Sequence, residues 1–195
     1  IYSAVLTMPG TPTLVYGEEI GMGDDLSMPG RNSVRTPMQW ADEPNADFSS
    51  APREKLYRPI INSGPFSYKK VNVPNQQRDE NSLLSWMIRA IRIRKECPEF
   101  GRGELEILSG TPADALFCHI CETGEEAVLA LHNFASKELE AEFNIGKRPA
   151  DHLIDLFRGT DLKPDKNGTC KLTLEGYGYR WFRLHRKNRT DTPAI

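Results

Sequence analysis

The chain has 195 residues, of which 25 are Lys or Arg and 27 Asp or Glu, and 38% are hydrophobic, enough for one or two ordinary globular cores. A near-neutral balance creates no field to gather nucleic acid or an anionic membrane, and no apolar run approaches the ~18 residues of a membrane span. Four cysteines, Cys97, Cys118, Cys121 and Cys170, are too sparse for a disulfide scaffold and read as reduced thiols, as in a cytoplasmic protein.

Ile1 to Thr7 is apolar and reads as the end of a helix, stopped by Met8-Pro9-Gly10; because the chain opens on Ile1 rather than Met, its natural start is expected upstream. Thr13-Leu-Val-Tyr16 is then a short β-rich apolar run between Pro12 and Gly17, the pattern of a buried parallel strand covered on both faces. From Glu18 to Glu80 the chain lacks periodicity and is rich in Pro, Gly, Asn and Asp. Met38, Trp40, Phe48, Tyr57, Phe66 and Tyr68 give it too much aromatic and apolar surface for a disordered linker, so an ordered functional loop is expected. Asn81 to Cys97 predicts an amphipathic helix with Leu83, Leu84, Met87, Ile88 and Ile91 on one face, Asp79 or Asn81 as cap, and Pro98 as terminator.

Beyond Gly101 the pattern is that of strands: Leu105 to Leu108, Ala115 to Glu122, Ala127 to Phe134, Leu139 to Phe143, His152 to Phe157, Lys171 to Leu174 and Tyr179 to Leu184. Thr123-Gly124-Glu125 is a hairpin turn, and Asp165-Lys-Asn-Gly168 leads into another strand. Residues 101–187 therefore predict an all-β antiparallel sandwich, and 188–195 a frayed tail. Cys118-His-Ile-Cys121 has the spacing of half a zinc site, but residues three apart on a strand point to opposite faces, so no metal is expected. His119, His132, His152 and His185 lie on different strands without ligand spacing and read as structural; Gly101-Arg-Gly103 precedes a strand and reads as a turn. Asn167-Gly-Thr169 and Asn188-Arg-Thr190 fit a glycosylation pattern that recurs by chance.

Several segments together resemble the α-amylase superfamily: GTPTLVYGEEIGM its eighth barrel strand and following turn, RTPMQW the hallmark loop of its oligo-1,6-glucosidase and trehalose synthase group, SLLSWMIRAIRIRKECPEF its eighth helix, and EGYGYRWFRL the last strand of its trailing domain. GMGDDLSMPGRNSVRTPMQW is most similar to the trehalose synthase branch, since oligo-1,6-glucosidases and sucrose isomerases carry a long insertion between GEEIGM and RTPMQW. The resemblance implies that residues 1–100 are an α/β barrel remnant, the last strand, long loop and last helix of a TIM barrel, followed by the sandwich. It implies an α-linked disaccharide, maltose or trehalose, as substrate, no cofactor, and a missing N-terminal barrel as partner.

Retaining glycoside chemistry needs two carboxyl groups ~5 Å apart. Glu18, Glu19, Asp24 and Asp25 would lie on the active face of a barrel, but the family's catalytic acids stand on earlier strands, so no catalytic residue is expected in this chain and these four are expected to hold turns. The resemblance assigns Arg35 to the floor of the glucose pocket, with Arg31 assisting; Gln39 and Trp40 are further candidates by type as donor and platform, although the apolar surroundings of Trp40 and Trp86 favour a core role. Two other readings stand beside this one. The first is an oligo-1,6-glucosidase or related α-glucosidase. The second is a carbohydrate-binding or assembly module, against which Phe117, Phe134, Phe143, Phe157 and Phe182 are expected to be buried. A half-barrel would expose a strand edge, so the isolated chain is expected to self-associate through Ile1 to Tyr16.

Overall fold

The computed structural model describes residues 1–185; the expected frayed tail, 188–195, and Asn188-Arg-Thr190 lie outside the described residues. The chain forms two compact units, one from Ile1–Pro12 together with the chain from Arg92 onward, the other from Thr13–Ile91.

The first unit is built on two antiparallel sheets. β1 (Glu104–Ile107), β3 (Leu116–Thr123), β4 (Glu126–Asn133), β9 (Tyr179–His185), β6 (His152–Asp155) and β7 (Asp161–Leu162) form a six-stranded sheet in the order β1-β3-β4-β9-β6-β7. β2 (Gly110–Thr111), β5 (Leu139–Asn144) and β8 (Thr169–Leu174) form a second, in the order β2-β5-β8. All seven expected strands are present, and β2 and β7 are two-residue additions too short to leave a pattern. Gly124 turns the β3–β4 hairpin at φ 60°, pairing Thr123 with Glu126, as a two-residue loop requires.

The alternation along β3, β4 and β9 gives the large sheet two different faces. Cys118, Ile120, Leu129, Leu131, Phe182 and Leu184 turn toward Ala141, Phe143, Cys170 and Leu174 and make the sandwich core. The opposite face carries His119, Cys121, His132 and Trp181, against which α1 (Tyr2–Val5) and α4 (Glu99–Arg102) pack. Trp181 Nε1 donates to Ser3 Oγ at 2.9 Å, and its ring meets Phe100 edge-on at 5.4 Å. Gly101 thus lies inside a short helix rather than in the expected turn. Cys118 and Cys121 do stand on opposite faces, and burial pushes their thiols up to about 12 and about 11, so both are inert.

His119 and His132 are not scattered: they form a buried stacked pair with ring centroids 5.8 Å apart, flanked by Phe117. Thr7 Oγ1 stands 3.0 Å from Ser3 O, 3.1 Å from Ala4 O and 3.3 Å from His132 Nε2, within hydrogen-bond reach of all three. His119 Nε2 donates to Thr7 O at 3.0 Å. Burial lowers the pKa of both, and that of His132, further lowered by His119, falls to about 3. Of the five phenylalanines expected inside, Phe143 and Phe182 are buried, Phe117 and Phe157 half-buried, and Phe134 is 50% exposed. Phe134 lies just past the end of β4, where its ring stacks on His132 and no element covers its outer side.

α3 (Leu83–Glu96) is the longest helix, but its buried stripe runs through Met87, Ala90 and Ile93, leaving Ile88 and Ile91 exposed. Small Ala90 completes the i, i+3 row that the larger isoleucines were expected to supply. Its cap is also different: Ser82 Oγ accepts from Ser85 N at 3.1 Å, whereas Asp79 Oδ1 takes only Asn81 N in the preceding turn. Near its end, Arg94 donates to the carbonyls of Leu6 at 2.6 Å, Met8 at 3.1 Å and Gly10 at 2.6 Å.

In the second unit, Thr13 to Tyr16 forms no strand, Tyr16 already standing in a turn, and Val15 and Tyr16 are over half exposed. The buried-strand expectation is not met here, because an extended segment becomes a sheet strand only where neighbours take up its backbone groups. α2 (Val73–Arg78) was not expected; Asn72 caps it by accepting from Asn75 N at 2.9 Å, with Pro74 in its first turn.

Candidate functional site

The segment after Tyr16 is a succession of tight turns. Gly17 has φ 90°, and a Cβ there would stand 2.5 Å from Met22 Sδ, so the turn admits only glycine. Glu18 accepts from Val15 N at 3.1 Å, Glu19 from Gly17 N at 2.7 Å, and Asp25 from Ser27 N at 3.0 Å and Ser27 Oγ at 2.6 Å. Three of the four acids therefore spend carboxylate oxygens on turn geometry.

RTPMQW divides into a buried middle and exposed ends. Thr36, Pro37, Met38 and Gln39 are buried, with Tyr16 Oη donating to Thr36 O at 3.1 Å. Gln39, a candidate donor by residue type, is 0% exposed; its side-chain nitrogen donates to Val71 O and its main-chain carbonyl accepts from Val73 N at 3.2 Å, so it braces the loop instead. Trp40 corrects the expectation in the other direction: it is 50% exposed, not a core residue, while Trp86 is half-buried. The apolar neighbours of Trp40 in sequence turn inward, but its own backbone is fastened at the surface, where Ala46 O accepts from both Trp40 N at 3.0 Å and Ala41 N at 3.1 Å.

Arg31 sits in the single helical turn Gly30–Asn32, and Arg35 N donates to Asn32 O at 3.1 Å, so one turn carries both arginines. Both are exposed, and neither guanidinium makes a hydrogen bond or ion pair among the described residues. Two free planar donors and a half-exposed indole in one short segment suit a hydroxyl-rich ligand or a carboxylate brought by another part of the protein. Among the described residues no group of three His, Cys, Asp or Glu side chains could hold a metal ion.

The site has a further part that sequence patterns did not indicate. Asn45, Ala46 and Asp47 all lie in the left-handed region, with φ of 56°, 56° and 55°. Such residues cost roughly 1 kcal/mol or more each and persist where the surroundings impose them. Asn45 Nδ2 supplies that constraint, donating to Ser49 O at 2.9 Å and Ala51 O at 2.7 Å. Asn and Asp are tolerant of this conformation, but alanine is not, so the sequence carried no signal for three in succession.

Comparison with known proteins bears on both units. The model of the α-amylase catalytic domain matches residues 1–103, and that of the sucrose hydrolase-like C-terminal domain matches residues 125–183. The chain is 34% identical over 195 residues to a trehalose synthase of Pimelobacter sp. (strain R48), covering 98% of this chain and 34% of that protein. It is 37% identical over 185 residues to a trehalose synthase of Thermus thermophilus, covering 92% of this chain and 19% of that protein. The chain thus spans about a third of the first relative and about a fifth of the second. Its fold is similar to that of a trehalulose synthase mutant, MutB, solved with Tris, at a TM-score of 0.72 and 19% identity, over 93% of this chain and 37% of that one.

Proposed function

This chain belongs to the α-amylase family, and from that premise we propose that it is the C-terminal part of an α-glucoside-active enzyme that interconverts maltose and trehalose by retaining double displacement, with some hydrolysis. Residues 1–100 are then the last strand, loop and helix of the catalytic barrel, residues 101–187 its trailing sandwich, and the nucleophile and acid/base belong to the remainder of the enzyme. The observation that carries the reading is the arrangement of RTPMQW, whose buried middle fixes a surface turn bearing Arg35, whose guanidinium makes no hydrogen bond or ion pair among the described residues. An unpaired guanidinium on a braced loop is preorganised for a fixed carboxylate and the hydroxyls of a sugar ring.

Arg35 is the principal substrate contact in this reading and Arg31 its assistant. The short span from Met22 to Thr36 supports isomerisation over the oligo-1,6-glucosidase alternative. Product analysis of the full-length enzyme fed maltose decides between them: trehalose is expected, and free glucose alone would overturn the isomerase reading. Arg35→Ala is expected to lower kcat/KM about 100-fold, roughly 2.7 kcal/mol, and Arg35→Lys to restore little of it. The isolated 195-residue chain is expected to be inactive. Its exposed Ile1, Val15 and Tyr16 support self-association, and light scattering that returned a clean monomer would remove that part of the reading.

A further inference from the structure

The sheet face that takes α1 and α4 is covered at one end only. His119, Cys121 and His132 lie beneath Thr7 and these helices and are buried. Phe117 stands two residues before His119 and Phe134 two after His132, so strand alternation keeps both on this face. Ile107 lies opposite His119 and Leu105 opposite Cys121, so β1 continues it. Ile107 is 65% exposed, Phe134 50% and Leu105 37%, and the half-buried Phe117 stacks on Phe134 with ring centroids 6.2 Å apart. The charges of β1 turn the other way: Glu104 and Glu106 alternate with these residues, and Glu106 is paired with Arg148.

We infer that this open end seats an apolar outer helix of the catalytic domain, drawn from chain that precedes Ile1. Four apolar side chains on one face, with the strand's acids directed away from it, suit another apolar element better than solvent or a charged ligand. The patch is continuous with an interface of the same kind. Ile1–Pro12 packs in the sandwich unit, on this face through Ser3 and Thr7, and falls within the residues that match the catalytic domain. That domain has more chain to bring, since this one spans about a third of the Pimelobacter relative, and the outside of a barrel is a ring of helices. A second copy is a poorer occupant. The four side chains leave on the order of 300 Å² open, against about 800 Å² per partner in a stable complex. A helix seated here would also put Phe134 inside, where its sequence pattern places it. The patch stands on the described side chains; the identity of its occupant rests on the function proposed above.

The test is the rate at which N-ethylmaleimide labels Ile107→Cys and Phe134→Cys in the full-length enzyme, read by peptide mass spectrometry against the same variant unfolded in urea. The chain's own Cys97, Cys118, Cys121 and Cys170 are buried and add little background. Both introduced thiols are expected to react at least about tenfold more slowly in the folded enzyme, unchanged by diluting it about a hundredfold. Leu105→Cys serves where either variant lowers the thermal midpoint. Rates within about threefold of the unfolded reference overturn the inference. Protection that fades on dilution also overturns it, and would assign the patch to a second copy. Persistent protection in an enzyme that yields only glucose from maltose leaves the patch and its occupant in place and removes the isomerase reading.

Discussion

The two units handle charge in opposite ways. The sandwich unit carries a set of ion pairs, several joining neighbouring strands, as Arg148 does with Glu106 of β1 and Glu122 of β3. Residues 13–80 carry ten Asp and Glu and eight Lys and Arg, and none forms an ion pair among the described residues. Composition is similar, so the difference is one of arrangement. In the sandwich charge closes the structure through ion pairs, with the buried Glu99 held by Arg183 at 2.8 Å; in residues 13–80 turns are closed by backbone hydrogen bonds, amides, hydroxyls and single carboxylates such as those of Glu18, Glu19 and Asp25, without a cation beside them.

The most severe test of this contrast is acid. His119 and His132 are held neutral, and a histidine whose folded pKa is depressed gives stability that is complete above its unfolded value near 6.5 and is lost as protons bind the unfolded chain at lower pH. For His132 the window runs from about 6.5 down to about 3, and the loss reaches roughly 5 kcal/mol at its lower end. Urea titrations of the full-length enzyme between pH 7 and pH 4, wild type against His132→Phe, are expected to show the variant's dependence on pH markedly flattened. An equally steep loss in both would mean that the pair is not the acid-labile element.

Next in size, Arg183→Met leaves Glu99, 2% exposed, without its cation, and Glu99 Oε2 already lacks a hydrogen-bond partner. About 3 kcal/mol of stability is expected to go, with Glu99→Gln in the same chain recovering part of it. A loss below 1 kcal/mol in chemical denaturation would make this pair no more structural than the free charges of the loop unit. Smallest is Asp47→Gly. Glycine accepts φ 55° without strain, so about 0.5 kcal/mol of added stability is expected despite removal of a charge. A fall in the thermal midpoint would show that the Asp47 carboxylate supports the turn after all.

Local rules carried the sandwich and failed where tertiary context decides. Thr123-Gly124-Glu125 specified its hairpin, and the pairing of Thr123 with Glu126 carries His119 opposite Ala130 and His132 opposite Phe117. The buried histidine pair was therefore derivable from the turn, had the register been extended along both strands. The α3 stripe was not, since helical spacing allows both Ile88 and Ala90 and only packing selects between them. Which residues of RTPMQW face solvent depends on Val71, far in sequence from Gln39, and on the turn at Ala46 that fastens Trp40. Thr13 to Tyr16 has the composition of a strand, and composition does not supply the neighbours a strand requires.

Arg94 gathers the carbonyls of Leu6, Met8 and Gly10 with one planar fork, across a stretch where Pro9 has no amide hydrogen to offer. Lysine, a single point donor, cannot span three oxygens set along a bend, and shorter side chains cannot reach them. A substitution scan ranked by solvent exposure would place this partly exposed arginine among the permissive positions, and one ranked by lost activity would place it among the substrate contacts. Both rankings would be misled by the same guanidinium, whose ligands are the backbone of its own chain.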